Sequence, residues 1–226
     1  MIELQKVTKI YRSGDEIITA LNNISLEIKE GEFTAIAGPS GSGKTTLLNI
    51  ISGIEKPDQG DVFFDELHLN RLNEEKLSDI RLRRIGFVFQ AYNLIPTLTA
   101  RENAEFILFL RGVSERVRRK KVEEIFENLG IAHLLDRFPH QMSGGQQQRV
   151  AIARAIAGEP DVILADEPTA NLDTENALAI IQMMKEINRE RGTTFLFATH
   201  DPLIMENARR IVHLRDGKVV RDEVRG

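Results

Sequence analysis

Gly38-Pro39-Ser40-Gly41-Ser42-Gly43-Lys44-Thr45 stands between the apolar run Phe33–Ala37 and the apolar-faced stretch Thr46-Leu47-Leu48-Asn49-Ile50-Ile51. The first run reads as a buried strand and the second as the opening of a helix, so the eight residues form a loop whose backbone N–H groups converge at a helix N-terminus. Glycines let that backbone approach phosphate oxygens closely. Lys44 is placed to reach the β and γ phosphates, and the Thr45 hydroxyl can ligate Mg²⁺. A nucleoside triphosphate is therefore the first ligand to consider, with 38–45 and the adjoining Thr46 as its cradle.

Outward from the loop, the pattern on either side is that of half-buried antiparallel strands. Ile24, Leu26 and Ile28 alternate before it, and Val62-Phe63-Phe64 follow a turn at Pro57-Asp58-Gln59-Gly60 after it. Farther on the apolar runs become continuous. Ile85–Phe89, Val162-Ile163-Leu164-Ala165 and Thr194-Phe195-Leu196-Phe197-Ala198 read as strands buried on both faces with helices between them, the signature of a parallel α/β sheet. A helix is predicted over 174–191: Asp173 is its N-cap, Ala177, Ile180, Ile181, Met184 and Ile187 form one stripe, and Gly192 ends it. Between 91 and 155 the pattern is helical, as at Val122, Ile125, Phe126 and Leu129 before Gly130. The fold class expected is thus α/β: a phosphate-loop core with a mainly parallel sheet, an antiparallel β subdomain, and a helical subdomain at about 91–155 inserted in one domain spanning 1–226.

Composition narrows the function classes. A chain of 226 residues with 42% hydrophobic content buries an ordinary globular core. No apolar run reaches the roughly 18 residues of a membrane span, and Met1-Ile2-Glu3-Leu4-Gln5-Lys6 has neither a basic nor an apolar export region. With no cysteine there is no disulfide framework, thiolate metal site or thiol nucleophile, and the compartment is inferred from ATP supply, which argues for the cytosol. A formal net charge of −4 weighs against nucleic acid as a partner. The basic cluster Arg116-Val117-Arg118-Arg119-Lys120-Lys121 follows a Ser114 cap and reads as a solvated helix face, with anionic lipid headgroups as the alternative.

Two carboxylates, Asp166 and Glu167, close the third apolar strand, where open α/β sheets bind ligands. Asp166 fits a Mg²⁺ ligand, and Glu167 is placed to polarise a water nucleophile. His200, just after the last core strand and before Asp201-Pro202, suits a γ-phosphate contact; His68, His133, His140 and His213 have no such context. Met142-Ser143-Gly144-Gly145-Gln146-Gln147-Gln148-Arg149 runs into a helical stretch and reads as a second anion-binding helix start or as an ordinary N-cap.

In chain order, the phosphate loop, Gln90 after a strand, Met142 to Gln146, Asp166-Glu167, Asn171-Leu172-Asp173 and His200 resemble an ATP-binding cassette (ABC) ATPase over nearly the whole length. The resemblance implies that Ser143, Gly144, Gly145 and Gln146 complete the nucleotide site of a second copy, giving a head-to-tail dimer around two ATP molecules. It also implies that Tyr11 stacks on adenine, that Gln90 contacts Mg²⁺ and water while sensing integral membrane permease subunits, and that Asp173 links the two sites. Met142 stands where the family usually has leucine, a nearly volume-conserving exchange. Phe89 to Thr99, the run of three glutamines before Arg149, and Ala165 to Asp173 look most like the branch serving lipoprotein release, macrolide-type efflux and cell division. The implied function is ATP hydrolysis that powers membrane partners from the inner face of the cell membrane. A phosphotransferase of phosphate-loop type and a soluble cassette of repair or translation are the rival readings.

Overall fold

A computed structural model describes residues 1–14 and 16–225. The strands are β1 (Ile2–Ser13), β2 (Glu16–Ile28), β3 (Phe33–Ala37), β4 (Gln59–Phe64), β5 (Leu67–His68), β6 (Ile85–Phe89), β7 (Val162–Asp166), β8 (Thr194–Thr199), β9 (Arg210–Arg215) and β10 (Lys218–Val224). The helices are α1 (Lys44–Ile51), α2 (Glu74–Arg84), α3 (Ala100–Leu110), α4 (Glu115–Asn128), α5 (Gly144–Ala157), α6 (Thr174–Arg191) and α7 (Pro202–Asn207). The chain divides into two compact units, Met1–Arg81 with the segment from Thr194 onward, and Leu82–Thr193.

In the first unit β2, β1, β4 and β5 form an antiparallel sheet. The alternation at Ile24, Leu26 and Ile28 buries those three and exposes Ser25 and Glu27. Beside it β3 pairs in parallel with β8 on one edge and β9 on the other, and β10 closes antiparallel on β9. All of β3 and β8 is buried. Phe33 packs tilted against Phe197 and Phe195, at 4.7 and 5.5 Å between ring centroids, a geometry that adds to the area these rings bury. Leu47, Leu48, Ile50 and Ile51 seat α1 in the same core; each such side chain contributes about 1.5–3 kcal/mol on burial.

The second unit carries β6 and β7 as a parallel pair, with Ile85 opposite Val162 and Phe89 opposite Asp166. Alanine at 151, 153, 155 and 157 lets α5 approach β6 so closely that a methyl group at Gly86 would lie 2.9 Å from the Ala155 carbonyl oxygen. In α6 the Asp173 carboxylate accepts from Asn176 N–H at 2.9 Å, and Gly192 (φ 68°) ends the helix. The stripe Ala177, Ile180, Ile181, Met184 and Ile187 is buried, joined by Met183.

Several expectations need adjustment. β6 is not covered on both faces: Phe87 and Phe89 are half-exposed and stack at 5.5 Å, because β6 ends its sheet. Gln59 and Gly60 lie inside β4 rather than in a turn. Between 91 and 155 the described elements are helical only, and they belong to the compact unit Leu82–Thr193 together with β6, β7 and α6. The basic cluster is neutralised locally: Arg119 pairs with Glu115 at 2.9 Å, Lys120 with Glu124 at 3.8 Å, Lys121 with Glu159 at 2.7 Å and Arg118 with Glu105 at 3.3 Å. Ser114 occupies the cap position of α4 without a side-chain bond to it. Among the described residues no helix is long and apolar enough to cross a membrane.

Candidate functional site

In the first unit the C-terminal ends of β3 and β8 lie side by side, Ala37 opposite Thr199. The chain leaves one strand into the loop 38–43 and the other into His200, which is exposed. The Gly38 N–H donates to the Thr199 carbonyl at 3.3 Å, the Ser42 N–H to Pro39 O at 3.3 Å, and the Gly217 N–H to Ser42 O at 3.1 Å, so the loop is held from both flanks. Lys44 is 7% exposed, and its ammonium donates to the carbonyls of Gly38 (2.8 Å) and Pro39 (3.0 Å), which folds it over the loop.

Helix α1 begins without a side-chain cap and without an acidic residue in its first turn. Its positive dipole end is thus left uncompensated by side chains, the arrangement that favours an anion. The Ser42 hydroxyl is buried with no hydrogen-bond partner, and nothing lies within 4 Å of where a methyl group at Gly41 would stand. An open, donor-rich loop of this kind fits a polyphosphate. Thr45 is exposed and Thr46 half-buried. Tyr11, on β1, donates its hydroxyl to Glu55 at 2.6 Å and lies 3.4 Å from the Thr46 hydroxyl, while its ring is 37% exposed with the Lys9 ammonium 5.6 Å from the ring centre. Burial first, and Glu55 second, push the Tyr11 phenol above its ordinary pKa.

In the second unit the ends of β6 and β7 are likewise side by side. Gln90 follows β6 and is exposed, and Asp166 ends β7. Glu167 has φ 45°, a left-handed conformation that non-glycine residues rarely adopt and that costs about 1–3 kcal/mol. The following Pro168 and Thr169 are buried, and the Asn171 amide donates to Gln90 O at 2.9 Å, tying this turn to the one after β6. Asp173 caps α6, and the Asn176 backbone N–H, with its side-chain amide, holds the Asp173 carboxyl below its ordinary pKa.

Ser143 caps α5 in a reciprocal arrangement: the Gln146 N–H reaches the Ser143 hydroxyl at 3.4 Å and the Ser143 N–H reaches the Gln146 side chain at 2.9 Å. Gly144 and Gly145 lie close against side chains of neighbouring segments. A methyl group at the first would lie 2.8 Å from the Tyr92 hydroxyl, and at the second 2.9 Å from the Asn176 side chain. Tyr92 and Asn93, at φ 59° and 49°, were not singled out in the sequence; neither was Arg154, whose guanidinium donates to both their carbonyls and whose pKa burial pushes down. A lone arginine within the apolar run from Val150 to Ala157 is the signal that could have found it.

The apolar segment after Gln90 is partly inward-facing. Leu94, Ile95 and Leu98 are half-buried and Pro96 exposed, because the fully buried Asn103 amide binds the carbonyls of Ile95, Leu98 and Thr99. The more exposed apolar side chains of this unit are Phe109, Leu110 and Val117. Among the described residues no group of three or more His, Cys, Asp or Glu could hold a metal ion.

The model of the family described as ABC transporter matches residues 21–170. The chain belongs to the ABC transporter family. It is an ATP-binding cassette, and as such an ATP hydrolase. The uncharacterized ABC transporter ATP-binding protein MJ0796 of Methanocaldococcus jannaschii is 50% identical, covering 99% of this chain and 97% of its own. A solved dimeric structure of that cassette in a post-hydrolysis state bound to ADP and Pi superposes with a TM-score of 0.93 at 48% identity, covering all of both chains. The macrolide export ATP-binding/permease protein MacB of Syntrophobacter fumaroxidans is 42% identical over 97% of this chain and 31% of its own length. These matches carry the branch expected from the sequence and do not favour the phosphotransferase or the soluble-cassette reading.

Proposed function

We propose that this cassette hydrolyses Mg·ATP as a head-to-tail homodimer and thereby drives integral membrane permease subunits, as a peripheral protein of the inner face of the cell membrane. The observation that carries the reading is the full-length similarity to a cassette solved as a dimer with ADP and Pi. The chain acts as one domain over 1–226 with a helical insertion at about 91–155, and the segment around Gln90 to Thr99 couples it to the partner subunits.

Residue roles follow from the family resemblance together with the chemistry of each side chain. The backbone N–H groups of Ser40, Gly41 and Gly43, with Lys44, Thr45 and Thr46, bind the phosphates in the loop that Gly38, Pro39 and Ser42 shape, and Tyr11 covers the adenine face. Thr45, Gln90 and Asp166 offer a hydroxyl, an amide and one carboxylate, the hard oxygen donors that Mg²⁺ takes when substrate phosphates complete its shell. The ion supplies charge neutralisation at the β and γ phosphates. Glu167 takes a proton from the attacking water, and His200 and Gln90 orient the reacting groups. Ser143, Gly144, Gly145 and Gln146 face the γ-phosphate held by the other copy, and Asp173 lies between the two sites.

The test is Glu167→Gln. A positioned base contributes about 10²–10⁴ in rate, so the amide leaves binding intact and stalls turnover. The variant should run as a dimer by light scattering with ATP and as a monomer without it, because mass action favours the state that binds nucleotide. A variant that saturates with ATP yet stays monomeric at high protein concentration would refute the shared site.

A further inference from the structure

Gln148 lies on α5, five residues after Ser143, and is completely buried. Its amide nitrogen donates to the Pro168 carbonyl at 2.5 Å, while its amide oxygen is buried with no hydrogen-bond partner. A half-satisfied amide is an expensive choice at such a position. Leaving a buried acceptor without a protein partner is unfavourable, and Val150, Ala151 and Ile152 on the same helix show that apolar side chains fit the surroundings. What the glutamine supplies that leucine or methionine cannot is the bond to Pro168.

That bond sits beside the strained position of the unit. Glu167 holds φ 45°, and the residue before a proline is restricted further by the ring. Such a conformation persists only where neighbours over-determine it. On its far side the turn is closed by Ala170 N–H to Glu167 O at 3.2 Å and Leu172 N–H to Thr169 O at 3.0 Å. Gln148 is the side chain from α5 that fixes the Pro168 peptide directly after the carboxylate.

We infer that Gln148 is a positioning residue: it sets the orientation of Glu167 and ties that orientation to α5. This rests on the reading of Glu167 as the base and of Ser143 to Gln146 as the face presented to the other copy. Under it, one rigid helix carries the contact to the partner's nucleotide at its first turn and the brace on its own chain's base at its second. Engagement of the partner's nucleotide thus moves or steadies the base that acts on this chain's own nucleotide, which couples the two hydrolysis sites through a single amide.

The experiment measures ATPase kinetics, ATP affinity and melting temperature of the full chain for Gln148→Met, which keeps length and volume but has no donor, for Gln148→Leu, for Glu167→Gln and for Gln148→Met/Glu167→Gln. Misplacing a catalytic group by about 1 Å costs about 10² in rate, so kcat should fall about 10- to 100-fold in both Gln148 variants with ATP affinity unchanged. In the Glu167→Gln background Gln148→Met should cost nothing more, since the group it positions is gone. Unchanged kcat in a folded variant, an equal loss in both backgrounds, or a loss of affinity in step with kcat overturns the inference. So does failure of both Gln148 variants to fold, which makes Gln148 a packing residue. Failure of the base assignment shows separately, as parental turnover in Glu167→Gln.

Discussion

Gly43→Ala tests how far the phosphate loop depends on its backbone rather than its side chains. Gly43 has φ 102° and is the residue from which α1 starts, its carbonyl accepting from Leu47 N–H at 2.9 Å. A methyl group there would lie 2.4 Å from the Ala20 carbonyl oxygen and 2.9 Å from a Leu21 methyl carbon. The leucine can rotate, but the carbonyl belongs to β2, so loop or strand must yield by at least ~0.6 Å to reach the 3.0 Å below which real contacts essentially never fall. Gly41→Ala is the control. Its φ of 76° carries the same kind of backbone penalty, with nothing within 4 Å of the added methyl group. Left-handed backbone costs alanine about 1–2 kcal/mol, and forced overpacking adds about 1–3 kcal/mol. Gly41→Ala should then lower the melting temperature by about 2–8 °C and Gly43→Ala by about 4–20 °C, at 2–4 °C per kcal/mol for a chain this long. The assay is calorimetric melting without nucleotide at fixed protein concentration. A gap between the two variants smaller than about 2 °C would refute the clash with Ala20 as the reason for glycine.

Lys44→Ala should abolish ATPase activity and weaken ATP binding about tenfold or more in titration calorimetry while the free protein stays folded, since the ammonium donates to the Gly38 and Pro39 carbonyls of its own loop and charge-assisted bonds to phosphate are the strong ones; parental turnover would remove it from the site. The Asp222 carboxyl is held below its ordinary pKa by hydrogen bonds from Arg210, so its contribution is present above the unfolded carboxylate value and is lost as pH falls through the lower folded value. The melting gap between the parent and Asp222→Asn should be full at neutral pH and close below about pH 4; a gap that is constant or widens toward pH 3 would refute the linkage.

Strong local signals were read correctly, and broken ones were missed for reasons visible in the chain. Asp173, the Ala177 to Ile187 stripe and Gly192 agree with one another, and α6 spans the residues they bracket. By contrast β1 was not legible, although it is twelve residues long. Ile2 and Leu4 alternate, but the next buried residue is Val7, because the pairing with β2 slips between Leu4 and Val7, again before Lys9 and again before Ile10, and Lys6 takes φ 52°. A period of two cannot be seen across irregularities that shift it. β9 and β10 give weak signals because β9 is a short apolar run flanked by Arg210 and Arg215 and broken by His213, and β10 mixes charged with apolar residues and is exposed along most of its length. The carboxylates and the signature loop were legible as residues. The brace behind them was not, because Gln148 reads as one more polar residue in a run of three.

The left-handed non-glycine residues of the second unit that follow strands cluster where the proposed chemistry lies. Tyr92 and Asn93 come just after β6, and Glu167 just after β7. Each is held by a polar side chain from α5: Arg154 on the carbonyls of Tyr92 and Asn93, Gln148 on that of Pro168. Both side chains sit in a helix whose other positions are mainly small or aliphatic, where an alanine would be the better helix former and a leucine the better core filler. Conflict between local preference and global structure, resolved by an otherwise costly buried polar group, is what a site that must hold two turns in fixed orientation looks like. Helix α5 therefore acts both as a core element and as a rigid arm joining three loops, and conservative changes at Ser143, Gln148 or Arg154 should be felt first in turnover and only then in stability.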